Sequence, residues 1–284
     1  MTLRIEHHDS DLGRWTLARW APPALAGVVD TLWYFEGTLE HLRERHFPSG
    51  RAEIIVHLGP LYRRVEPEES GPFPQVCVSG LLLGPELIEA PPGPSAVLGI
   101  RLHPVGAYRV LGQSLEPLAG ITVDLQGLAD WRARQLLDRC GAAEGPEGRL
   151  RAAADWVAEQ VRTGEGADPA VTWLVGALEG RHGGVPVAEL AGQIGWSRTR
   201  LTQAFRRHVG VTPKHFARIL RFRRALELVQ QAEAPLSRVA MDAGYYDQPH
   251  FNADFREMSG VTPLAFREAR HFPESPNLAE KPEE

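Results

Sequence analysis

Phe205-Arg206-Arg207-His208-Val209-Gly210-Val211-Thr212-Pro213 returns fifty residues later as Phe255-Arg256-Glu257-Met258-Ser259-Gly260-Val261-Thr262-Pro263, and Phe216 and Phe266 keep the same offset. Self-similarity at a fixed spacing marks one supersecondary unit used twice. Each copy reads as a helix, a glycine stop and a Thr-Pro restart. Glycine accepts the left-handed backbone that follows a helix, threonine caps the next helix, and proline suits its first position.

A shorter helix with a tight turn precedes each copy. In the first, Val187, Leu190, Ala191 and Ile194 fall at helical spacing, Gly195 breaks the run, and Ser197 is placed to cap a helix continuing through Arg207. In the second, Leu236, Val239 and Ala240 form the apolar stripe, Gly244 turns the chain and Asp247 caps a helix through Met258. A short helix bracing a second is the helix-turn-helix pattern. Between the units, Phe216, Ile219, Leu220, Ala225, Leu226 and Val229 predict one continuous amphipathic helix carrying Arg218, Arg221, Arg223 and Arg224. Arg221 and Arg224 either tie this helix to one unit through an acid such as Glu189 or Asp242, or face phosphate.

Residues 170–270 resemble the C-terminal DNA-binding domain of the AraC/XylS family of transcription regulators. The strings that carry the likeness are Val187-Ala188-Glu189-Leu190-Ala191, Ser197-Arg198-Thr199-Arg200-Leu201-Thr202-Gln203-Ala204-Phe205, both Gly-Val-Thr-Pro repeats, and Ala243-Gly244-Tyr245-Tyr246-Asp247-Gln248-Pro249-His250-Phe251. The resemblance implies that the second helix of each unit enters a major groove of double-stranded DNA, about 10 base pairs from the other. It also implies contact with RNA polymerase, with activation the expected outcome. Residues 1–165 resemble, less specifically, the β-rich sensor domains of that family, which implies a small-molecule effector and leaves pairing of two copies open.

On the first recognition helix Arg198, Thr199, Arg200, Thr202, Gln203 and Arg206 are expected on the solvent side, with Leu201, Ala204 and Phe205 inward. Arg200 and Gln203 are the leading base readers, because arginine pairs bidentately with guanine and glutamine with adenine. On the second, Gln248, Pro249, His250, Asn252 and Ala253 are expected outward. Many family members carry arginine where Ala253 stands, so this unit either reads bases or mainly grips phosphates. Arg207, Lys214 and Arg256 are the phosphate candidates, and the helix starts at Ser197, Thr212 and Thr262 offer backbone N–H groups to phosphate oxygens. His208 is expected on a solvated surface.

The charge distribution agrees with one half meeting a polyanion. The chain carries −5 overall, yet residues 181–270 hold 14 basic against 8 acidic groups, and 13 of the 14 are arginine. Residues 1–180 hold 16 basic against 24 acidic groups. Two domains are expected from the 284-residue length: a β-rich sensing unit over 1–165 and a DNA-binding unit over 168–270, followed by a flexible acidic tail over 271–284. Gly164-Glu165-Gly166-Ala167-Asp168-Pro169 is the expected linker.

The fold class expected is α+β: an antiparallel, cupin-like barrel or sandwich with helices after it, then an all-α domain. Residues 28–103 read as short strands between Gly/Pro turns, with helices over 104–164. In one strand Ile54, Val56 and Leu58 oppose Glu53 and His57; in another Leu98, Ile100 and Leu102 oppose Arg101 and His103. Trp33, Tyr34, Glu53, His57, Arg101 and His103 either line an effector pocket or form the solvated faces of those strands. His46, Glu53, His57 and His103 match no recognised ligand spacing, so no metal and no cofactor are expected.

An enzyme is not expected, because no Gly-rich phosphate loop, nucleophile elbow or HExxH string occurs. The rival is a small cupin-type barrel enzyme with an appended DNA-binding module. A methyl-transfer DNA-repair sensor would need a cysteine-rich zinc site, whereas the chain has only Cys77 and Cys140. The acidic N-terminal stretch and the short apolar runs predict a cytoplasmic protein without a membrane span.

Overall fold

Side-chain alternation builds the front half and helical periodicity the back. The structure, a computed structural model, describes residues 2–40, 43–65, 71–231, 234–269, 271–272 and 277–280. The strands are β1 (Arg4–Ser10), β2 (Gly13–Trp20), β3 (Val29–Leu39), β4 (Arg43–His46), β5 (Ala52–His57), β6 (Arg63–Arg64), β7 (Val76–Ser79), β8 (Glu86–Glu89) and β9 (Ser95–Leu102). Then come α1 (Pro104–Leu111), β10 (Thr122–Asp124), α2 (Leu125–Ala142), α3 (Gly145–Thr163) and α4 (Pro169–Glu179). The back half runs α5 (Val187–Ile194), α6 (Arg198–Val209), α7 (Pro213–Gln231), α8 (Leu236–Asp242), α9 (Gln248–Ser259) and α10 (Pro263–Glu268), with β11 (Leu278–Glu280) at the end. The chain is thus α+β, an antiparallel β unit followed by a helical one.

The strands make two antiparallel sheets, ordered β1-β2-β3-β9-β5-β7-β10 and β11-β4-β8-β6. Ile54, Val56, Leu98, Ile100 and Leu102 are fully buried on the large sheet's helix-facing side. Its other side meets the small sheet around Trp15, Leu39, Tyr62 and Val97, with Trp33, Phe35, Ile55 and Ile88 packed against them. Two departures from expectation stand out. The sheet begins at Arg4, because β1 and β2 form a hairpin in full register, Arg4 opposite Arg19 through Ser10 opposite Gly13. Inside the segment expected to be a flexible tail, Leu278–Glu280 pairs with Arg43–Arg45. The edge of β4 offers unpaired backbone groups that this short strand satisfies.

The two halves share one continuous core. Phe47 lies edge-on between Phe222 of α7 and Phe266 of α10, with ring centroids 6.3 and 5.7 Å away. Beside it Glu179 at the end of α4 reaches Arg51 at 2.7 Å and His103 at 3.4 Å. Burial alone would raise the Glu179 carboxyl, but His103 and Arg51 outweigh it and hold the group below the usual carboxylate range. On the far side Gly210, at φ 99°, ends α6 where a side chain would come within 3.1 Å of the Leu115 carbonyl. Leu115 N–H donates to the Arg207 carbonyl at 2.9 Å, so the loop after α1 holds the C-terminal end of α6. Cys77 and Cys140 are buried free thiols, pushed up to about 12 by burial.

Candidate nucleic-acid interface

Both recognition helices start and stop on the signals in the repeat. Ser197 Oγ accepts from Arg200 N–H at 3.3 Å and Asp247 Oδ1 from His250 N–H at 2.8 Å. Gly210 and Gly260 close α6 and α9 in left-handed conformation. Thr212 and Thr262 cap α7 and α10 through Oγ1, at 3.1 and 3.2 Å. Caps of this kind contribute about 1 kcal/mol each and fix where a helix begins, which is what positions its first-turn side chains.

Leu201, Phe205 and Val209 bury the inner stripe of α6, while Arg198, Thr199, Arg200, Gln203 and Arg206 are exposed and Thr202 half-buried. Phe251, Phe255 and Met258 do the same in α9, leaving Pro249, His250, Asn252, Ala253 and Arg256 exposed and Gln248 half-buried. The offset of fifty carries across the faces: Arg200 answers to His250, Thr202 to Asn252, Gln203 to Ala253 and Arg206 to Arg256. Lys214, in the first turn of α7, is exposed. Arg200 lies over the Trp196 ring, 4.0 Å from its centroid. A stacked guanidinium loses less freedom on meeting a base edge.

Arg207, expected to grip phosphate, is exposed and donates from Nη2 to the Tyr108 hydroxyl at 3.1 Å, as its neighbour Arg206 reaches Glu116 at 3.5 Å. Three expectations need correction. His208 is not on a solvated surface but half-buried edge-on against Tyr108, with centroids 4.3 Å apart. Burial, with Arg207 alongside, holds its imidazole below the ordinary range although the Ala204 carbonyl pulls the other way. Neither Arg221 nor Arg224 reaches Glu189 or Asp242. Arg221 donates to the Gly183 carbonyl at 3.4 Å and lies over Tyr245, Arg224 pairs with Glu227 at 3.3 Å, and Asp242 is taken by Arg238 at 2.9 Å.

Sequence reasoning missed the tie that holds α9. Asp254, 6% exposed, accepts from Arg218 of α7 and from the Tyr245 hydroxyl at 2.8 Å, and Arg218 also reaches Glu257 at 2.5 Å. Burial and the Asp254 carboxylate push the Tyr245 phenol well above its usual range. The signal was available, since Asp254 falls where the repeat places the inward Ala204, and a carboxylate on a buried stripe needs partners. Trp196 and Tyr246, each directly before an N-cap, were also overlooked.

The six effector candidates do not form one group. Trp33, Glu53 and Arg101 share the side of the large sheet facing the small one: the Trp33 indole packs on Gly99, and Glu53 pairs with Arg101 across the register. His57 lies further along that face, buried, hydrogen-bonded to the Pro74 carbonyl at 3.2 Å and lowered by burial. Tyr34 faces the opposite way, fully buried beneath the Arg149 guanidinium, so it cannot line the same space. His103 sits beside Glu179 instead. Among the described residues no three His, Cys, Asp or Glu side chains are grouped to hold a metal ion.

Residues 190–269 match the family model of a helix-turn-helix domain, and residues 20–124 match a family described as a domain of unknown function (DUF6597). The HTH-type transcriptional activator RhaR of Enterobacter sp. (strain 638) is 38% identical over 71 residues, 25% of this chain and 25% of that protein. Residues 190–269 are a helix-turn-helix domain. The chain spans only that quarter of RhaR, so the likeness speaks for the helix-turn-helix domain and not for the front half. A solved transcriptional regulator of Chromobacterium violaceum with an AraC-type DNA-binding domain is 27% identical, with a TM-score of 0.34 over 37% of this chain and 95% of that one. ToxT of Vibrio cholerae covers 84% of this chain and 97% of its own at 10% identity and a TM-score of 0.48. Among the described residues no helix is long and apolar enough to cross a membrane.

Proposed function

We propose that the chain is a sequence-specific DNA-binding transcription regulator in which α6 and α9 enter successive major grooves on one face of a duplex. One observation carries this reading. Two helices related by a fixed offset each bury an apolar stripe and present, at corresponding positions, an uncovered polar face. On α6 that face centres on Arg200 and Gln203, whose donor patterns suit guanine and adenine edges. On α9 His250 and Asn252 read bases, while Arg256, with Arg198, Arg206 and Lys214 on the first unit, grips phosphates and fixes register.

Residues 168–270 form the DNA-binding unit and residues 1–165 the sensing unit. The Trp33–Glu53–Arg101 side of the large sheet receives a small polar effector, the mixture of aromatic and charged groups such pockets use. The shared core around Phe47 and the clasp of Leu115 on α6 transmit its presence to the recognition helices, and contact with RNA polymerase turns binding into activation.

The test is selection of binding sites from random duplexes by the full chain, followed by gel-shift titration of Arg200→Ala. Enrichment of a two-part site, with roughly tenfold weaker specific binding in the variant and an unchanged fold, supports the reading. No enriched sequence, or undiminished specificity without Arg200, refutes it.

A further inference from the structure

The two helix-turn-helix units are not identical in their turns. The short helices α5 and α8 align at an offset of 49, with Leu190 matching Val239 and Gly195 matching Gly244, whereas α6 and α9 align at 50. The second turn therefore holds one extra residue. Between glycine and N-cap the first unit has Trp196 alone; the second has Tyr245 and Tyr246.

The pair divides the work. Tyr245 turns inward, 5% exposed, and donates its hydroxyl to Asp254. Tyr246 is thrown outward and is 92% exposed, more than any other large apolar side chain described. Trp196, at the corresponding place before its N-cap, is half-buried and covered by Arg200. No ring or cation covers Tyr246 among the described residues. The ring thus contributes no burial to the core, and it stands directly before the N-terminus of α9, the end of a recognition helix that reaches base edges.

We propose that Tyr246 is a DNA-reading residue of the second unit, its ring packing on the C5-methyl group of a thymine in the major groove. Apolar contact with that methyl is a recognised form of base readout. It compensates for what α9 lacks, since Ala253 stands where the first unit has Gln203 and His250 where it has Arg200. The second unit then adds an apolar contact to the reading by its His250 and Asn252, while the first reads by guanidinium and amide hydrogen bonds.

This inference rests on the proposed DNA-binding function, and the experiment separates the two. The full chain is titrated onto its selected duplex as wild type, Tyr246→Ala and Tyr246→Phe, and onto duplexes with uracil replacing each thymine of the second half-site. Tyr246→Ala should weaken specific binding by at least about fivefold, Tyr246→Phe should bind as wild type, and one uracil substitution should reproduce the loss without adding to that of Tyr246→Ala. Arg200→Ala, which acts on the other half-site, should keep its sensitivity to that uracil. Equal binding by Tyr246→Ala, or a loss shared by Tyr246→Phe, overturns the methyl contact while leaving the regulator reading intact. A wild-type chain that selects no duplex overturns both.

Discussion

Replacing Asp254 by alanine tests whether the second recognition helix is held by the buried carboxylate. Asp254 receives both the Arg218 guanidinium and the Tyr245 hydroxyl. Truncation leaves that hydroxyl, in a side chain 5% exposed, without an acceptor, at a cost of about 1–3 kcal/mol. Breaking a buried ion pair outright costs about 3–5 kcal/mol, but the Arg218 side chain is 24% exposed and retains Glu257. The ion-pair part is therefore reduced, and the total is on the order of 3 kcal/mol. Asp254→Asn, which keeps shape and one acceptor, should cost about half of that. Urea unfolding of the full chain measures both. In an Arg218→Ala background the cost of Asp254→Ala should fall markedly, because the partners are coupled. A loss below about 1 kcal/mol, or costs that simply add in the double variant, would show that packing rather than this tie positions α9.

Phe47→Ala should cost roughly 3–5 kcal/mol, as for a buried aromatic, and should separate the unfolding of the two halves in calorimetry. A single unshifted transition would mean that the ring does not join them. His208 favours its neutral form when folded. As pH falls below its unfolded value, about 6.5, the unfolded chain takes up the proton first and stability declines toward pH 5. His208→Gln should flatten that slope in urea midpoints collected from about pH 7 to 5, and an unchanged slope would assign it to other groups. Ser197→Ala removes the cap of α6 and should cost about 1 kcal/mol while weakening DNA binding more than stability, since it loosens the turn that aims Arg200. Equal specific affinity for the capless variant would contradict that role.

The helical half was readable because its information is local. Caps, glycine stops and apolar stripes lie within a few residues of the helices they define, and the repeat states them twice. The exposed and buried faces of α6 and α9 follow from periodicity alone. Contacts between elements distant in sequence were harder. That Arg207 turns to Tyr108, or that Arg218 rather than Arg221 meets an acid, depends on where α1 and α9 lie in space. The same holds for Trp33 and Tyr34: adjacent strand residues must face opposite ways, so they could never have shared one pocket, and only the strand pairing shows which of them shares a face with Glu53 and Arg101. The β1–β2 hairpin escaped notice because its outer strand is largely exposed and polar, which erases the alternation that reveals half-buried strands.

Hydroxyl-radical footprinting of the full chain on its selected duplex addresses the central claim most directly. The account predicts two protected windows on one face, centred about 10 base pairs apart, one lost in Arg200→Ala and the other in Asn252→Ala. A single window, or protection that ignores sequence and responds to neither variant, would contradict it.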